Sequence, residues 1–180
     1  AFPIPHARET VAAVKEAGFK VGLVSNTMFA GAAHQADMAR FGLVDFFDAM
    51  VFSADENKWK PTPLPFLQVL DELGAQGETA VYIGDDPGSD VAGAHAAGMR
   101  AVYFQSSGRF HLPADLQPDA TINRLTELVE LLARLVDPQD ADVADVVVAA
   151  GVDAARDLDA DLAEGRQLVW IADLFCDLLR

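Results

Sequence analysis

The chain has 180 residues, 51% of them apolar, with 28 acidic against 13 basic side chains and a net charge of −15. That is enough apolar material for one packed α/β core, which argues against wholesale disorder, and the charge argues against nucleic acid or an anionic membrane surface as partner. Cys176 is the one cysteine, so no internal disulfide can form and a reducing, cytoplasmic setting fits; no apolar run approaches the roughly 18 residues of a spanning helix.

In chain order, Ala7, Val11, Ala12, Val14 and Ala17 form a helical stripe with Gly18 as its C-terminal stop. Residues 20–25 (KVGLVS) read as a strand covered on both faces, because a continuous apolar run suits a buried parallel sheet. A helix over 29–40 and a strand over 49–53 follow. Residues 64–73 open with prolines and stop before Gly74, which predicts a helix. Further on come a strand at 79–83, a helix near 89–97, a strand at 101–104, a short strand at 119–122 and a helix at 124–135. Strands alternating with helices predict a doubly wound, Rossmann-like α/β domain with a parallel sheet. In such sheets ligands gather at the carboxyl ends of strands, where Ser25 and Asp85 both fall.

Residues 136–180 differ in character. From 137 onward they hold eleven acidic and three basic side chains. Leu168, Ile171, Ala172, Phe175, Leu178 and Leu179 follow a helical spacing, so an amphipathic helix is expected to end the chain. The division is therefore a core over 1–135 and an acidic, helical extension over 136–180. The final helix is expected to dock on the core, with a partner surface as the alternative.

Three segments carry chemistry: GLVSNT at 22–27, KWKPTP at 58–63 and YIGDDPGSDVAGAHAAGM at 82–99. Carboxylates clustered where a strand gives way to a loop suit a hard cation such as Mg2+. In this order and spacing the segments resemble motifs two, three and four of the haloacid dehalogenase-like hydrolase superfamily, over roughly residues 1–135. The resemblance implies transfer of a phosphoryl group from a small phosphorylated metabolite to an aspartate and then to water, with Mg2+ as cofactor. Phosphoryl transfer spreads charge over the equatorial oxygens, so the protein's task is positioning and charge neutralisation. On this reading Ser25 donates to a phosphate oxygen, Asn26 lines the substrate side and Lys60 supplies a fixed positive charge. Asp85 binds the metal, Asp90 binds it or orients a ligand, and Asp86 stands behind them. The histidines His6, His34, His95 and His111 show no metal-ligand spacing and read as surface or packing residues.

The superfamily's first motif, an apolar strand ending in Asp-x-Asp, has no counterpart in strand context. Asp140 and Asp142, Asp157 and Asp159, and Asp159 and Asp161 have the spacing, but no apolar run precedes them. The expectation is a core without its first strand, nucleophile and cap, nearly inert alone and taking that strand from a partner chain or an upstream segment. A non-catalytic phosphate- or metal-binding module that docks through its acidic tail is the competing reading. A metal-independent dehalogenase is a further one, which the full acidic fourth motif disfavours.

Overall fold

A computed structural model of the chain describes residues 5–105 and 110–135. Helix α1 (Ala7–Glu16) buries Ala7, Thr10, Val11 and Val14, the stripe that its sequence spacing dictates. It ends where Gly18 takes a φ of +94°, a left-handed conformation open to glycine, and donates its N–H to Lys15 O at 3.0 Å. Strand β1 (Gly22–Ser25) follows, then α2 (Gly31–Arg40), β2 (Ala49–Phe52), the single turn α3 (Ser53–Glu56) and α4 (Leu64–Leu73). The second half holds β3 (Val81–Gly84), a π-helical turn at Pro87–Val91 leading into α5 (Ala92–Ala96), β4 (Arg100–Phe104), β5 (Ala120–Ile122) and α6 (Leu128–Leu135).

Every described strand pairing is parallel, so each partner is reached by a crossover and not by a tight hairpin. β1 pairs with β2, and β3–β4–β5 form a second ladder. Among the described residues, β1 and β3 are each paired along one edge only. The two ladders nonetheless share their packing. Side chains alternate along each strand, so Leu23, Phe52, Val81, Ile83, Val102, Phe104 and Ile122 enter one apolar cluster with α1 and α6. Val24, Ala49, Val51, Tyr82, Ala101 and Tyr103 enter the other, with α4 and α5. This is the Rossmann-like α/β arrangement the sequence predicts. Each fully buried Leu or Phe in these layers contributes about 1.5–3 kcal/mol.

The second layer is closely packed around Phe66 of α4. The Phe66 and Tyr82 rings meet edge to face with centroids 4.8 Å apart, and a Cβ added at Gly93 would overlap the Phe66 ring and lie 3.2 Å from Pro61 O. Gly93→Ala is therefore expected to destabilise the chain by about 1–3 kcal/mol, although alanine is the better helix former. Urea unfolding measures this, and an unchanged midpoint would mean that the α4–α5 contact is looser than the coordinates show.

Where element bounds depart from the sequence reading, hydrogen bonding explains the difference. The strand expected from residue 20 begins at Gly22, because Val21 N–H goes to the Asp48 carboxylate (2.7 Å) and not to a neighbouring strand. The helix expected near 89 starts earlier, as a wide turn capped by Asp86 with Pro87 in its first position. The extension at 136–180, with its amphipathic helix, lies outside the described residues. No helix among the described residues is long and apolar enough to cross a membrane.

Candidate active site

Ser25 ends β1, Gly84 ends β3, and both strands run into loops at the same edge of the layer. Lys60 comes to that edge from the loop before α4, with a cis Lys60–Pro61 bond. Asn26 ties the first two segments together: its Nδ2 donates to Lys60 O at 3.1 Å and its Oδ1 accepts Lys60 N–H at 2.8 Å. Asn26, expected to line the substrate side, thus commits a donor and an acceptor to the backbone of Lys60.

Lys60 turns its side chain inward, where it is 1% exposed and meets Asp90, also 1% exposed. Its Nζ donates to Asp90 Oδ1 at 2.5 Å and to Tyr82 OH at 3.2 Å. An ammonium has three protons, and partners among the described residues take two of them. Asp90 Oδ1 also lies 3.2 Å from Tyr82 OH, and its Oδ2 accepts the Asp86 N–H at 3.0 Å. Both oxygens of Asp90 are therefore engaged by protein donors, the arrangement of a carboxylate that holds a lysine. Gly84 makes the approach possible, since a Cβ there would overlap the Asp90 carboxyl group.

Tyr82 joins the halves of the sheet at this point, its hydroxyl lying 3.3 Å from Val24 O on β1. Burial raises its pKa well above the ordinary tyrosine value, and the charge of Asp90 and its hydrogen bond to that carboxylate raise it further. Tyr82 stays protonated at any ordinary pH. From the sequence it is one residue of the strand expected at 79–83; the available signal is a polar hydroxyl on a buried ring, which must find a partner. Tyr103, at the end of β4, is also raised, by burial and then by the negative charges of Asp85 and Asp86.

Asp86 serves the local turn. Its Oδ1 accepts from Gly88 N–H (2.9 Å) and Ser89 N–H (3.3 Å), and its Oδ2 accepts the Ser89 hydroxyl (2.8 Å). Asp85 lies beside it, buried at the carboxyl end of β3. Among the described residues no three His, Cys, Asp or Glu side chains come together as a metal site. The donor set still fits Mg2+, which is commonly held by one or two carboxylates, with water and substrate phosphate completing the octahedron.

Ser25 completes the picture. It is 2% exposed, and its Oγ has no hydrogen-bond partner, an orphaned buried polar atom among the described residues. Leaving such a hydroxyl unsatisfied costs about 1–3 kcal/mol, so it calls for an explanation. The three predicted segments thus meet in one place, through Asn26 with Lys60, Lys60 with Asp90 and Tyr82 with Val24.

Buried strand-end carboxylates and a fixed lysine on a parallel α/β layer define a class of architecture: a Rossmann-like core with an acidic site at its strand ends. The family description "haloacid dehalogenase-like hydrolase" matches residues 2–104, and the chain belongs to that family. It is 29% identical over 137 residues to the ribulose-1,5-bisphosphate 5-phosphatase of Halopiger xanaduensis, covering 72% of this chain and 56% of that protein. To the pyrophosphatase PpaX of Bacillus cereus it is 34% identical over 127 residues, covering 69% and 57%. Among solved structures, a 2-haloacid dehalogenase from Pseudomonas syringae pv. Tomato matches with a TM-score of 0.63 and 34% identity, over 73% of this chain and 53% of that one. The chain thus spans a little over half the length of the relatives it matches.

Proposed function

We propose that this chain forms the phosphate-holding part of a Mg2+-dependent phosphatase that acts on a small phosphomonoester. The observation that carries the reading is the buried Ser25 hydroxyl with no partner among the described residues, at the end of a strand whose next residue, Asn26, holds the backbone of Lys60. A phosphate oxygen would satisfy that hydroxyl. The phosphatases among the relatives support the choice of a phosphoryl over a halogenated substrate.

Each residue's part follows from its surroundings. Ser25 Oγ donates to one equatorial oxygen. Lys60 Nζ, held by Asp90 and Tyr82, presents a fixed charge to the phosphate and to the attacking carboxylate. Asn26 fixes the Lys60 backbone, and Asp90 acts through Lys60. Asp85 is the carboxylate that would hold Mg2+, which when bound offsets repulsion between an anionic nucleophile and an anionic substrate. The reaction needs a nucleophilic aspartate, which the described strands do not supply at their carboxyl ends: its oxygen would bond phosphorus while the bond to the leaving oxygen breaks, and water would later cleave the aspartyl-phosphate. A non-catalytic binding module is the second reading, favoured by the absence of Asp-x-Asp at the carboxyl end of any described strand.

The test is nuclear magnetic resonance of the full chain with inorganic phosphate and Mg2+. Addition of phosphate should shift the Ser25 and Lys60 signals. Ser25→Ala should weaken phosphate binding about tenfold or more, the scale of one hydrogen bond to a charged group. Because a buried hydroxyl without a partner among the described residues costs the fold about 1–3 kcal/mol, the substitution should leave the chain at least as stable as before. A destabilised Ser25→Ala chain with unchanged phosphate affinity would make Ser25 a structural residue.

A further inference from the structure

We propose that His34 is a positioning residue for the turn at 25–29, its neutral ring holding that turn through Thr27 so that Ser25 is presented to an anion only while His34 is unprotonated. The role of Ser25 in this statement rests on the phosphate reading above; the geometry of the turn does not.

His34 lies on α2, 4% exposed, and stacks on the Phe52 ring of β2 with centroids 5.5 Å apart and planes 11° from parallel. Its Nε2 is 2.7 Å from Thr27 Oγ1. Thr27 follows Ser25 by two residues and is held from three directions. Its N–H donates to Ser53 Oγ at 2.7 Å, and the Ser53 hydroxyl donates back to Thr27 O at 3.0 Å. Its own Oγ1 accepts the Phe29 N–H at 3.1 Å. The remaining group is the Thr27 hydroxyl proton, and among the described residues His34 Nε2 is the acceptor within reach. Nε2 must then carry a lone pair and Nδ1 the ring proton.

Protonation reverses this bond. An imidazolium donates at both nitrogens, so Thr27 Oγ1 would face two N–H donors while its own proton lost its acceptor in a buried place. The charged groups facing His34 are Asp37 on its own helix and Asp55 on α3. The Asp55 carboxylate also accepts Gly31 N–H, at 3.0 and 3.2 Å, where α2 begins. Phe52 of β2 and Thr27 of the turn bring no charge. Burial lowers the His34 pKa, and it outweighs the two aspartates, which act to raise it. The unfolded chain therefore takes this proton first, so acid weakens the turn as pH falls below about 6.5, the ordinary histidine value.

The experiment is a titration of the full isotope-labelled chain from about pH 8 to pH 5, spanning the histidine range. Sulfate serves as the probe, because it stays a dianion throughout. At the upper end His34 should show the Nδ1–H tautomer. The Ser25, Asn26 and Phe29 amides should shift with the midpoint of His34 itself, and sulfate affinity should fall about tenfold across it, the scale of one hydrogen bond. His34→Gln, uncharged and able to accept from Thr27, should bind as the natural chain does at neutral pH and lose the pH step. His34→Phe keeps the stack but has no acceptor, and should bind about tenfold more weakly at every pH. An Nε2–H tautomer, or amides that ignore the His34 midpoint, would overturn the proposal. Sulfate binding absent at every pH would instead count against the phosphate reading, because tautomer and amide shifts judge His34 without a ligand.

Discussion

Asp90→Asn is expected to lower the unfolding free energy by about 3–5 kcal/mol, because it leaves the Lys60 ammonium uncompensated in a site where its side chain is 1% exposed. A domain of this size is stable by only about 5–15 kcal/mol, so the loss should dominate the urea midpoint. The substitution is nearly isosteric, and the carboxamide oxygen can still accept the Asp86 N–H, so the effect isolates charge from packing. Lys60→Met should be similarly costly, now by stranding the carboxylate. The double variant Lys60→Met with Asp90→Leu discriminates between explanations. Replacing a whole buried pair by apolar groups is often close to neutral, so the double variant should be more stable than either single one. It should nonetheless fail to bind phosphate. If Asp90→Asn unfolds within about 1 kcal/mol of the natural chain, the pair is solvated and the account of Lys60 as a fixed buried charge collapses.

What the sequence made legible, and what it hid, divides along the range of the interactions. The apolar runs and their glycine stops located β1 to β5, since alternation and helix caps are local properties. Ser25 and Asp85 were readable because strand ends in such a layer fall together, whatever lies between them, whereas Lys60 and Asp90 were readable through the resemblance of their segments to the superfamily's motifs. The pairwise roles were not readable. Asn26 reads as a substrate-facing amide until its partner is known to be Lys60, 34 residues away. Tyr82 reads as strand packing because its bonds to Lys60 and to Val24 O span 22 and 58 residues. His34 reads as a packing histidine, and it is one, but the hydroxyl it serves comes from the turn seven residues earlier. Even Gly84, a plain strand end in the sequence, is required by a carboxyl group that fills the place of its Cβ.

Among the described residues β1 and β3 each keep one edge without a strand partner, and this leads to the second large effect. Both strands are buried, both apolar clusters run across the two ladders, and among the described residues Tyr82 OH to Val24 O (3.3 Å) is a backbone-directed bond that crosses between them. A parallel strand hydrogen-bonded to β1 on one side and β3 on the other would satisfy both edges. If it ended in Asp-x-Asp, it would bring its carboxylates to the same level as Ser25, Lys60 and Asp85. Joining such an apolar strand ahead of the chain, through a linker long enough to return to that level, is therefore expected to do two things. The melting temperature should rise, because unpaired edge groups gain partners. Mg2+-dependent hydrolysis of an aryl phosphate should also appear, and loss of its first aspartate should cost on the order of a millionfold, as removal of a nucleophile commonly does. Asp85→Asn in that protein should sharply reduce the Mg2+-dependent rate while leaving the fold intact. A strand that raises the melting temperature without turnover would assign the chain to phosphate binding alone. Turnover unaffected by Asp85→Asn would move the cation elsewhere.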